Sequence, residues 1–159
     1  MKLRKMILTA LFIALSFIGA NIKIAGSIAF DSMPAFLGAL ILGPVYGAVI
    51  GGLGHFLTAF TSGFYLSLPV HIIIMIAMAV TVYVFGITYR ILLKKSITGA
   101  VIVSSIAAVI INGPVTIIMV MPIVGKGIIA MLPILSLAAL LNVAIAHICY
   151  KLSLKGVKR

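Results

Sequence analysis

The sequence predicts an all-α membrane protein: a bundle of six transmembrane helices with both termini on the cytoplasmic side. Three observations predict it. The chain has 159 residues, 64% hydrophobic and 8% charged, with a mean hydropathy of +1.41. Ordinary soluble domains are about 25% charged and about 45–50% apolar. A chain this short cannot hide that excess of apolar side chains in one water-soluble core, because small domains leave much of their surface in solvent. Six spans of about 20 residues would take about 120 residues and leave only short connections. Finally, 12 Lys and Arg stand against one acidic residue, Asp31, and the basic residues are distributed unevenly between the ends of the apolar runs. A soluble enzyme, a nucleic-acid-binding module and a disordered tail are excluded. So is a sizeable extramembrane catalytic or nucleotide-binding domain.

The elements follow in order as one integral membrane domain over residues 1–159. A basic start, Met1 to Lys5, leads into a first helix over 6–22. The chain stays apolar beyond it, so this run reads as a span rather than a cleavable signal. A polar break from Asn21 to Pro34 precedes a second helix over 32–43, which is short enough to be tilted or re-entrant. Gly43-Pro44 marks a turn, and Pro44 suits the first position of the third helix, 45–60. Thr61 to Ser67 forms the next break. The fourth helix, 68–90, is closed by Arg90, Lys94 and Lys95. The fifth covers 97–121, Pro122 to Gly127 breaks the chain, and the sixth covers 128–150 before a basic tail.

Charge orients the bundle. With both termini and the Arg90–Lys95 loop on one side, that side holds Lys2, Arg4, Lys5, Arg90, Lys94, Lys95, Lys151, Lys155, Lys158 and Arg159. The opposite side keeps Lys23 and Lys126. Basic residues concentrate on the cytoplasmic side of membrane proteins, and the split requires an even number of crossings before Arg90. Gly43, Gly47 and Gly51 are spaced four apart, as are Ala10 and Ala14. Small residues at that spacing let helix backbones approach closely in lipid, and generic internal packing suffices to explain the glycines. Cys149 is the one cysteine and cannot form an internal disulfide.

Polar groups inside lipid are costly, so each is a functional candidate. Asp31, His55, Thr58, Tyr65, His71, Asn112 and Lys126 come from separate segments yet share the outer depth of the bundle, as expected of a pocket opening outward. Phe64 joins them as a ring on which a ligand could stack. Each has a plainer reading. Asp31 can cap the second helix or contact a ligand, or do both. His55 can bond a neighbouring helix, and His71 can sit at headgroup level. Asn112, before Gly113-Pro114, can satisfy a kinked backbone. Asn142 and His147 fall in the inner half of the sixth helix, Asn142 as a helix–helix hydrogen-bonder and His147 as an interfacial residue. The histidine spacing suits no metal site. One carboxylate supports no acid–base pair. Gly47–Gly54 lacks the Lys-Ser/Thr ending of a phosphate loop.

Together these features resemble the substrate-binding S component of an energy-coupling factor (ECF) vitamin transporter. Ala10-x-x-x-Ala14 is similar to the motif by which S components dock on the shared T component. The block Ile28-Ala-Phe-Asp-Ser-Met-Pro34, then Gly43-Pro-Val-Tyr-Gly-Ala-Val-Ile-Gly51, Gly54-His55 and Pro69-Val-His71 resembles the family over nearly the whole chain. The resemblance implies a multi-pass protein of the bacterial plasma membrane that captures a vitamin or precursor from outside. Its implied partners are a T component and two cytoplasmic ATPases, which use ATP and Mg, while this chain carries no cofactor and catalyses nothing. The Asp31-Ser-x-Pro34 and His55/His71 combination most resembles the subgroup linked to cobamide precursors such as alpha-ribazole. The alternatives are an S component for another vitamin, of the pantothenate, pyridoxine or riboflavin type, a membrane-embedded enzyme using His55, His71 and Asp31, or a proton-coupled transporter.

Overall fold

The structure is a computed structural model that describes residues 2–21, 23–24 and 28–156, with the side chains of 23–24, 28–29 and 155–156 left out of the description. Ile22, at the expected end of the first helix, and the basic tail residues Lys158 and Arg159 lie outside the described residues. The chain forms α1 (Lys2–Ala20), a short antiparallel pair β1 (Lys23–Ile24) and β2 (Ile28–Ala29), α2 (Met33–Ile41), α3 (Pro44–Thr61) and α4 (Leu68–Leu93). It continues as α5 (Ile97–Ile110), a wide π turn (Ile111–Val115), α6 (Thr116–Val124), a 3-10 turn (Lys126–Met131) and α7 (Leu132–Gly156). In the β pair Lys23 lies opposite Ala29, and Ile24 opposite Ile28.

Four helical runs are long and apolar enough to cross a membrane by length and composition: Lys2–Ala20, Leu68–Leu93, Ile97–Val124 and Lys126–Leu154. Helix α2 is different. At about 1.5 Å per residue its nine residues rise about 13 Å, less than half of a bilayer core of about 30 Å. Pro34, Ala35, Phe36, Gly38, Ala39 and Leu40 are all buried, so α2 packs inside the bundle against α1, α3, α4 and α7. At the centre Phe36 meets Phe85 edge to face, with ring centroids 5.0 Å apart. Ile50, Val82 and Val143 close around them.

Glycines set the helix spacing, each toward a different neighbour. A Cβ on Gly47 would stand 2.5 Å from Ala39 Cβ on α2. One on Gly51 would stand 3.0 Å from Val82 Cγ2 on α4, and one on Gly54 would stand 2.8 Å from Ser16 Cβ on α1. Bare glycine faces therefore let three helices approach the α3 backbone. These contacts also give the register. Gly47 faces Ala39 while Gly51 faces Ala35, so α2 and α3 run antiparallel.

Two sequence expectations change. The fifth helix was expected to end at Met121, with a break from Pro122. The helical run instead passes both Pro114 and Pro122 and ends at Val124. Pro114 lies in the π turn, where the Thr116 hydroxyl donates to the Ile111 carbonyl at 2.8 Å. Local π geometry of this kind lets a helix continue past a proline. The break falls at Gly125, whose φ of +91° suits glycine. At the other end, α1 begins at Lys2, so the basic N-terminal residues already form its first turn.

Candidate functional site

The α3–α4 hairpin builds the centre of the candidate site. Gly63, at φ +70°, ends α3, and the Phe64 N–H donates to the Ala59 carbonyl at 2.9 Å. This folds Phe64 back over α3, where its ring lies 5.9 Å from Phe56 and 6.1 Å from Phe60. Phe64 and Ser67 carry φ values of 49° and 105°, in the region that L side chains avoid. Such residues persist where surrounding structure holds them, at about 1–3 kcal/mol each.

Four of the expected site residues meet here. His71 Nδ1 and His55 Nε2 lie 3.4 Å apart, so one nitrogen carries the shared proton and the other accepts it. The two imidazoles stack with centroids 5.5 Å apart. Phe64 and Tyr65 pack on His71 at 5.8 and 5.3 Å. His71 is only 3% exposed, whereas Tyr65 is 69% exposed. Among the described residues His71 Nε2 is buried with no hydrogen-bond partner. A buried nitrogen left unpaired costs about 1–3 kcal/mol.

Thr58 lies on α3 itself, and Asp31, Asn112 and Lys126 lie on other segments. Thr58 turns its hydroxyl inward to its own helix, donating to the Gly54 carbonyl at 3.0 Å. Asp31 is half-buried, and its backbone N lies beside Gly19, while Ser16, one turn earlier on α1, faces Gly54 next to His55. Gly54, the residue before His55, and the Asp31 backbone thus meet successive turns of α1. Asn112 lies in the π turn and is half-buried, and Lys126 is exposed beyond Gly125. Their segments reach the site from the far side of α4, where Val70 packs against Ile117, Val120 and Ile128. Ala10 and Ala14 are both exposed on the outward face of α1.

Asn142 and the start of α2 correct the expected depths. The N-cap of α2 is Ser32, whose side chain makes no capping bond. The Met33 N–H instead donates to Asn142 Oδ1 at 2.8 Å, and Asn142 Nδ2 donates to the Ala138 carbonyl at 2.9 Å. A side chain from α7 therefore caps α2 across the bundle, and the residues after Asp31 lie at the level of Asn142. Sequence reasoning separated Asp31 and Asn142 by depth because it gave α2 a full crossing. Replacing Asn142 with Ala should lower stability by about 1–2 kcal/mol, the cost of a lost cap, read as a reduced thermal midpoint in detergent. An unchanged midpoint would show that water substitutes for the amide.

Phe56 and Phe60 are also part of the ring cluster, and the sequence reading missed them. Their i, i+4 spacing ahead of Phe64 was the available signal. Two shallow apolar grooves lie apart from the histidines. One of about 180 Å³ runs between α1 and α2, along Phe12, Leu15, Ile18 and Leu37, and another lies along Ser105, Ile106, Val109 and Leu140. Among the described residues no group of three or more His, Cys, Asp or Glu could hold a metal ion.

The chain is a helical, membrane-type protein with a polar–aromatic cluster where α3 turns into α4. The family model of the ECF transporter substrate-specific component matches residues 4–154. The chain belongs to that family. No curated protein and no solved structure matches it. Members are transport subunits rather than catalysts, and membership implies partnering with a T component and ATPases.

Proposed function

We propose that this chain is the high-affinity binding subunit of an ECF importer for a vitamin or vitamin precursor, with alpha-ribazole or a related cobamide precursor as the first ligand to test. It lies in the bacterial plasma membrane with cytoplasmic termini, as six helical segments of which the short α2 is enclosed by the others. The observation that carries the reading is the contact of buried His71 with half-buried His55, beneath Phe64 and Tyr65 and at the same end of α1 as the Asp31 turn. That chemistry suits a neutral heterocycle bearing hydroxyl groups. The imidazoles and Phe64 would meet the ring, and Asp31 would accept bonds from hydroxyls. Thr58, Asn112 and Lys126 would complete the rim.

Energy for transport would come from partners. The chain would dock on the T component through the Ala10/Ala14 face, and two ATPases would hydrolyse ATP with Mg. Mass spectrometry of small molecules co-purifying with the protein, with a binding screen of B vitamins and cobamide precursors, tests the reading. One heterocyclic ligand bound without turnover is expected. Turnover by the purified chain would overturn it, and a bound anion such as pantothenate would replace the proposed ligand.

A further inference from the structure

We infer that His71 Nε2 is the atom that selects the ligand, and that His55 is a positioning residue that sets which His71 nitrogen carries the proton. The inference rests on the binding-subunit reading and narrows its ligand to a neutral planar heteroaromatic with a hydrogen-bonding ring nitrogen.

Three observations converge on that atom. His71 is almost fully buried, and its Nε2 has no partner among the described residues. Native proteins pair nearly all such groups, and of the three unpaired ones among the described residues, Ser16 Oγ, His71 Nε2 and His147 Nε2, only that of His71 belongs to the α3–α4 ring cluster. Its other nitrogen is already engaged by His55 at 3.4 Å. The rings in contact with His71 are His55, Phe64 and Tyr65, an environment that matches the faces of a planar ring. None of these neighbours carries a formal charge when the histidines are neutral.

The shared proton makes the pair a two-setting reader. If His55 Nε2–H donates to His71 Nδ1, then His71 Nε2 carries a proton and donates to a ligand acceptor. If His71 Nδ1–H donates to His55 Nε2, then His71 Nε2 is bare and accepts. One proton shift on each ring converts the first arrangement into the second. A ligand that bonds His71 Nε2 therefore fixes the tautomer of His55 without touching it. Entry requires the Phe64–Tyr65 segment to move off the His71 ring. The strained φ values at Phe64 and Ser67 show that surrounding structure holds this segment, so moving it costs those contacts.

The test uses the full chain in lipid nanodiscs with nitrogen-15-labelled histidine. The protein has three histidines, so His147 serves as an internal reference away from the pair. The probes are benzimidazole and indene, a ring of the same shape without nitrogen. Benzimidazole should bind at least tenfold more tightly than indene and shift the ring-nitrogen resonances of both His71 and His55, leaving those of His147 in place. His71→Phe should lose at least tenfold in benzimidazole affinity, and His71→Gln should retain part of it. Equal affinity for the two probes, no benzimidazole binding, or a shift confined to His147 would overturn the inference. If His71→Phe fails to fold, judged by a displaced His147 resonance, the probe comparison on the unsubstituted protein decides. Co-purification with the T component and ATPases is scored separately. Assembly without benzimidazole recognition defeats this inference alone, whereas benzimidazole recognition without assembly defeats the binding-subunit reading.

Discussion

Replacing Ala10 and Ala14 together with Trp should abolish uptake by cells that carry the coupling subunits, while ligand affinity of the purified chain stays within about twofold. Both residues lie on the exposed face of α1, between Leu3, Ile7, Leu11 and Ile18, which are exposed as well. Surface substitutions away from packed features change stability by about 0.5 kcal/mol or less, so folding should survive. What the new side chains would block is close approach by a second helix, since small residues are what permit it in lipid. The inward face of α1 carries Thr9, Ser16 and Gly19, so binding-site geometry should not change. Loss of ligand binding in the double variant would refute the docking assignment. Retained uptake would refute it as well.

Replacing Gly47 with Val should have the opposite profile, destabilising the fold and lowering binding and uptake together. The added Cβ would fall 2.5 Å from Ala39 Cβ, 2.7 Å from Ala39 Cα and 2.9 Å from the Ala39 nitrogen. Two of those atoms are backbone and cannot turn aside. Overpacking a tight contact costs about 3 kcal/mol when rotamer changes cannot relieve it. Total stabilities run about 5–15 kcal/mol, so such a loss is a large share. The expected readout is aggregation on size exclusion in detergent and a fall in the thermal midpoint. Gly63→Ala is the contrasting case, because no atom lies within 4 Å of a Cβ there and only the positive φ resists it. A Gly47→Val protein as stable as Gly63→Ala would show that α2 slides away from α3.

The long apolar helices were legible because a run of some twenty apolar residues has few other solutions. The wide turn at Asn112-Gly-Pro was not. A proline in an apolar run reads as a stop, and only the π geometry shows why this helix continues. The His55–His71 contact was partly legible. The sequence put both residues at one depth, but a spacing of sixteen along the chain says nothing of whether two rings touch. The α3–α4 hairpin decides that, through the Gly63 turn and the close approach at Gly51. Asn142 was legible as a helix–helix hydrogen-bonder, but its partner was not. Its role as the cap of α2 depends on a contact between residues 109 apart in sequence. No local pattern announces a capping group supplied by a different helix.

Helix α2 is shielded by α1, α3, α4 and α7, and it is far shorter than the bilayer is thick. A bilayer that thickens or thins strains helices whose apolar length must match it, and it does so at the lipid boundary. Those helices are the four long runs. The element that begins beside Asp31 has almost no lipid boundary of its own. Mismatch would therefore reach α2 only indirectly, through contacts such as the Met33–Asn142 bond to α7. Bilayer thickness would thus act on the His71 end of the bundle through α4 and α7, and α2 would follow them as cargo.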